Sequence, residues 1–321
     1  MPDQMTPRER VDAALRGEQV DRVPVCFWHH FNPEGSGRKL ADLTLAFFRD
    51  EFRLDIVKVM PDLPYPGPES PILSPQGLPR LPVETTPMFR EQLVCIEALR
   101  AALGPDYPIV VTLFSPLTTM LRFLRPFSRA IEIARAQPDA FAEGLEIVAA
   151  NLHDLMAASV DAGASGVFYS CMGATTAGFT PEEYGRLGRA YDERALDGAR
   201  DGWCNIVHIH ADPDQGDERL HFDLFDGYPV PVLSWSDRLT GPTLRDALGM
   251  TGKCLMGGLF ERGPIIRGPE PDIAAEVADA VAQTGGRRLI LANGCSVPNE
   301  VPVRWLHAAR DAVDTLPLPS P

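Results

Sequence analysis

Asn205-Ile206-Val207-His208-Ile209-His210 is a short apolar run, rich in β-branched residues, that ends in two histidines two positions apart. Consecutive apolar residues over so short a span suit a strand covered on both faces. Seven other runs share the pattern: Val23–Trp28, Asp55–Met60, Ile109–Phe114, Gly166–Ser170, Val230–Trp235, Cys254–Gly258 and Arg288–Ala292. Helical stretches separate most of them. Thr6-Pro7-Arg8-Glu9 opens one, with an N-cap threonine, a proline at the first helical position and a glutamate closing the capping box. Pro138–Ala162 has apolar spacing near 3.6, Thr180-Pro181-Glu182-Glu183 starts another helix, and Pro271–Thr284 and Asn299–Asp314 complete the set.

Strand alternating with helix predicts a parallel sheet. Eight such units predict closure into a (β/α)8 TIM barrel with extra helices and an N-terminal helical segment. An open doubly wound sheet is the alternative, but no Gly-x-Gly-x-x-Gly follows the first run as its dinucleotide-binding form would require. The 321 residues fit one barrel domain spanning 1–321. The Pro- and Gly-rich residues 61–86 read as an ordered loop over the barrel mouth, or as a disordered flap. Leu316–Pro321 reads as a frayed tail.

The formal net charge of −14 repels phosphate backbones and argues against a nucleic-acid partner. Six scattered cysteines without a Cys-x-x-Cys pair read as reduced thiols, which with no apolar leader or membrane-length run points to the cytosol.

Chemistry in a barrel collects where the strands end. Those positions offer His29 and His30, Asp62, Ser115 and Thr118, Tyr169 and Cys171, then His208, His210 and Asp212. Trp235, Asp237 and Arg238 follow, then Gly257, Gly258, Phe260, Glu261 and Arg262, and last Asn293, Gly294 and Cys295. His208 and His210 point to one face of a strand and can share a metal, with Cys295 as third ligand; the alternative is a hydrogen-bonded core pair. Of His29 and His30, at most one faces the site. Asp62 lies between Pro61 and Pro64, which would hold a carboxylate rigidly or simply shape a turn. Tyr169, Trp235, Asp237, Arg238, Gly258, Phe260 and His29 are the candidate substrate contacts. Arg122 and Arg125 read as surface charges more readily than as carboxylate clamps.

In order and spacing, several segments resemble the uroporphyrinogen decarboxylase superfamily, which includes corrinoid-linked methyltransferases. They are Thr6-Pro7-Arg8-Glu9-Arg10 through Asp21-Arg22-Val23-Pro24, Leu54-Asp55-Ile56 through Pro61-Asp62-Leu63, Ser115-Pro116-Leu117-Thr118, Gly257-Gly258-Leu259 and Asn293-Gly294-Cys295. The resemblance implies a barrel. The decarboxylases carry Met-Arg-Gln-Ala-Gly-Arg after the first strand, whose arginines hold substrate carboxylates. Trp28-His29-His30-Phe31-Asn32-Pro33 stands here instead, so both arginines are missing, while their essential aspartate is kept as Asp62. The zinc methyltransferases carry His-x-Cys and a late Cys. Here His208 and Cys295 match, and His210 replaces the first cysteine.

The resemblance therefore implies a methyltransferase-like enzyme. His208, His210 and Cys295 would hold zinc or another divalent transition metal, and Asp62, His30 and His210 would act on a small-molecule substrate. A corrinoid protein or small methylated compound would be the donor. A decarboxylase of a substrate other than uroporphyrinogen, and a non-catalytic corrinoid or tetrapyrrole carrier, are the alternatives.

Overall fold

The computed structural model describes residues 4–68, 72, 74–211 and 218–316. Eight parallel strands form one sheet: β1 (Val25–Cys26), β2 (Val57–Val59), β3 (Ile109–Phe114), β4 (Gly166–Cys171), β5 (Ile206–Ile209), β6 (Val232–Trp235), β7 (Cys254–Leu259) and β8 (Leu289–Asn293). Their order, β1-β8-β7-β6-β5-β4-β3-β2, makes a nearly closed barrel with helices between the strands, as expected. The strand interiors are buried throughout, as two covered faces require.

The seam between β1 and β2 has no regular ladder. The Asp55 amide donates to the Val25 carbonyl at 2.9 Å, and the Val25 amide donates to Asp55 Oδ2 at 2.8 Å. A carboxylate thus stands in for a backbone acceptor. Asp55 is fully buried, and Arg10 and Arg22 meet its two oxygens at 2.6 Å each. Arg10 comes from the helix Pro7–Leu15, whose Thr6/Glu9 capping box is formed as expected. This helix therefore latches the bottom of the barrel.

β1 is shorter than the predicted Val23–Trp28. Pro24 has no amide to give, and the Trp28 amide turns to Asn293 Oδ1 at 3.2 Å. The last helix runs Val303–Thr315 instead of starting at residue 299, because the residue before a proline is kept out of helical geometry and Pro302 becomes the N-cap. The helices Pro138–Asp161 and Glu270–Thr284 fall where the periodicity puts them. The helix Pro87–Leu103 was not singled out from sequence. Of the predicted loop 61–86 and tail 316–321, residues 69–71, 73 and 317–321 lie outside the described residues, as does Asp212. No described helix is long and apolar enough to cross a membrane.

Candidate active site

Strand alternation decides which side chains enter the barrel. Lys58 and Met60 from the β2 segment, Thr112 and Phe114 from β3, Phe168 and Ser170 from β4, and His208 from β5 turn inward at its upper end. With Trp28, His30, Pro61, Arg122, Met172, His210, Cys295 and Ser296 they line a cavity of about 270 Å³, partly open to solvent.

His208, His210 and Cys295 converge in this cavity: their ligand atoms all lie within 4.8 Å of one another. Cys295 Sγ is 3.8 Å from His210 Nδ1. Tetrahedral ligation at about 2.0–2.3 Å needs donors roughly 3.5 Å apart, so a small contraction would bring the three onto one ion. His208 is buried, and burial first, then His210 and Lys58, push its pKa well below the usual histidine range. The imidazole is held neutral, the form that ligates metals. Ser234 Oγ lies 3.2 Å from His208 Nδ1, which leaves Nε2 for a ligand role. Burial raises the Cys295 thiol, helped by Glu261, so an ion would have to displace its proton. Two imidazoles and one sulfur suit zinc or a similar divalent ion.

Asp62 sits behind His30. Its Oδ1 is 2.6 Å from His30 Nδ1, and its Oδ2 accepts the Phe31 amide at 2.6 Å. The Asp62 side chain is only 7% exposed and that of His30 51%, so the carboxylate is anchored and the ring reaches outward. His29 turns elsewhere. Its Nδ1 meets the His30 carbonyl and Asn299, and its ring packs on Phe31 and Phe47.

Several expected substrate contacts do not line this cavity. Ser170 faces inward, so Tyr169 must face out; its hydroxyl donates to buried Asp192 Oδ1 at 2.7 Å, among Tyr184 and Tyr228. Likewise Ser234 faces inward and Trp235 outward, where its indole N–H donates to the Pro242 carbonyl. Gly258 has φ 103, and a Cβ there would lie 2.7 Å from Ala280 Cβ, so the glycine serves helix packing. Asp237 accepts the Gly258 amide at 2.8 Å while Arg238 donates to the Gly258 carbonyl at 3.2 Å and pairs with Asp279. Asp237, Arg238 and Phe260 therefore lie outside the cavity wall.

Sequence reasoning missed Lys58, Thr112 and the inward role of Arg122, which was read as a surface charge. The signal for Lys58 was a lysine inside an otherwise apolar buried run.

The fold and site define a class: a (β/α)8 barrel with a two-histidine, one-cysteine cluster in a cavity at the strand C-termini. The chain belongs to the Uroporphyrinogen decarboxylase (URO-D) family, whose model matches residues 57–316. A methyltransferase from Methanosarcina mazei superposes with TM-score 0.79 at 19% identity, covering 97% of this chain and 99% of that one. A B12-independent methionine synthase from Shewanella sp. W3-18-1 superposes with TM-score 0.50 at 17% identity, covering 69% of this chain and 66% of that one. No curated protein sequence matches the chain. These likenesses agree with the resemblance drawn from sequence and, at such identities, concern the fold.

Proposed function

We propose that this barrel is a metal-dependent, methyltransferase-like enzyme moving a methyl group from a corrinoid or small methylated donor to a small acceptor. The convergence of His208, His210 and Cys295 supports this reading above all else. Zinc or another divalent transition metal would sit on these three, and when bound would supply a Lewis acid that favours the thiolate form of an acceptor. Ser234 fixes the ring of His208. Asp62 fixes the proton of His30 on Nδ1, leaving Nε2 to take a proton that the acceptor gives up.

Elemental analysis of protein purified without chelator should find close to one transition metal per chain. His210→Ala and Cys295→Ala should each lose most of it. Protein that arrives metal-free and then fails to take up zinc or cobalt would overturn the proposal.

Decarboxylation of a small acid is the second reading, favoured by the buried, anchored carboxylate of Asp62. Uroporphyrinogen is not the expected substrate. Each Arg–carboxylate pair is worth about 1.5–3 kcal/mol, so two missing arginines should weaken it roughly a hundredfold or more. Sequential decarboxylated products at enzyme-like rates would reverse that expectation. Tight pigment binding without turnover, visible in the absorption spectrum, would favour a carrier.

A further inference from the structure

The cavity holds two cationic side chains, Lys58 and Arg122, and neither has a carboxylate within ion-pair distance among the described residues. Lys58 is 1% exposed. Its ammonium lies between the faces of Trp28 and Phe168, 4.9 and 4.3 Å from the ring centroids, and 3.3 Å from Met60 Sδ. The guanidinium of Arg122 lies 4.3 Å from the centroid of Phe114. Beside them Thr112 Oγ1 is buried without a hydrogen-bond partner.

Polar groups buried this way are costly unless something completes them. Aromatic faces help a cation but do not replace an anion. Burial pulls Lys58 down to about 7, against the weaker pull of Cys26, Cys295 and Asp62 in the other direction. A chain of net charge −14 has carboxylates available, yet none among the described residues pairs with this lysine.

We infer that the compound reacting here is a small acid. Its carboxylate seats against Lys58 and Arg122 and accepts the Thr112 hydroxyl. This deepens the metal-centred reading, on which the identity of the reacting end rests. The ring of Phe168 lies against the Lys58 ammonium and also stacks on His208, centroids 5.2 Å apart. The carboxylate seat and the histidines thus share one ring as a neighbour, a spacing that suits an acid of a few carbons. The seat is flat-walled and offers an ammonium, a guanidinium and one hydroxyl. That suits a planar monoanion better than a phosphate dianion.

Calorimetry can test this with 3-mercaptopropionate, 2-mercaptoethanol and inorganic phosphate. Each is titrated into chelator-treated protein and into protein reloaded with cobalt. The acid should bind at least about tenfold tighter than the neutral thiol in both forms, and tighter than phosphate. Lys58→Met should cut that preference to within about twofold, and Arg122→Leu should lower it by roughly threefold. A sulfur-to-cobalt charge-transfer band reports separately on the metal reading, so a protein that prefers the acid but shows no band keeps the carboxylate seat and loses the metal. No preference for the acid, a preference untouched by Lys58→Met, or tighter binding of phosphate would overturn the inference. Should Lys58→Met not fold, the parent's preference and Arg122→Leu still decide it.

Discussion

Asp55 and Lys58 stand three residues apart on one short segment, both essentially inaccessible, and their surroundings treat them oppositely. Asp55 at the bottom of the barrel is met by two arginines and a backbone amide. Lys58 near the top is met by two aromatic faces and a thioether. Satisfied buried charge is architecture; unsatisfied buried charge beside a cavity is capacity held for something else. The contrast divides the molecule into an end that holds the fold and an end that does chemistry, the division general to such barrels.

The largest effect should come from breaking the satisfied end. Asp55→Ala leaves the Val25 amide without its acceptor and takes from buried Arg10 one of its two carboxylates, Asp21 being the other, and should cost about 2–4 kcal/mol in denaturant unfolding. A cost under about 1 kcal/mol would erase the distinction. Asp62→Asn keeps shape but removes the charge behind His30. It should leave the melting temperature within a few degrees and reduce activity roughly a hundredfold, once a substrate is in hand. Activity close to the parent's would reduce Asp62 to a turn residue. Lys58→Met should do the reverse of Asp55→Ala and stabilise the ligand-free protein, by about 1–3 kcal/mol. The sign with pH follows from the lowered folded pKa of about 7, beneath the unfolded lysine. The charged form is the penalised one, so the variant's advantage is full below about pH 7 and fades toward the unfolded value near about 10.4. An advantage that grows with pH would contradict it. The smallest effect belongs to Tyr169→Phe, which removes one hydroxyl from Asp192. It should cost about 1 kcal/mol and leave metal content unchanged. A lost metal would return Tyr169 to the site.

The strands were legible because eight apolar runs are separated by capping and turn signals, and burial on both faces leaves little else such runs can do. The convergence of His208, His210 and Cys295 was legible for a related reason. His-x-His on a strand shares a face whatever the register, and Cys295 at the end of the eighth run completed the set, which the resemblance then strengthened. Strand parity could also have excluded Tyr169 and Trp235, because each is one residue out of step with a small inward neighbour, Ser170 and Ser234. Naming the ends of strands without assigning their faces lost that information. Arg122 was harder. It belongs to the helix Pro116–Phe123, and nothing local says that this face of the helix looks into the barrel. That no described acid pairs with Lys58 depends on what the assembled barrel places around it, a property no local stretch of sequence carries.

The side-chain latch at the β1–β2 seam also bears on how amide protons exchange with solvent. In most of the sheet an amide is shielded by a neighbouring strand, and exposing it means parting two strands. The Val25 amide is shielded instead by a carboxylate held jointly by Arg22 and by Arg10 of the helix Pro7–Leu15. Its deuterium uptake therefore registers the loosening of this latch. The Val111 amide on β3, inside a regular ladder, registers the opening of the sheet. Two backbone probes thus time two separate events, the side-chain latch letting go and the barrel wall coming apart.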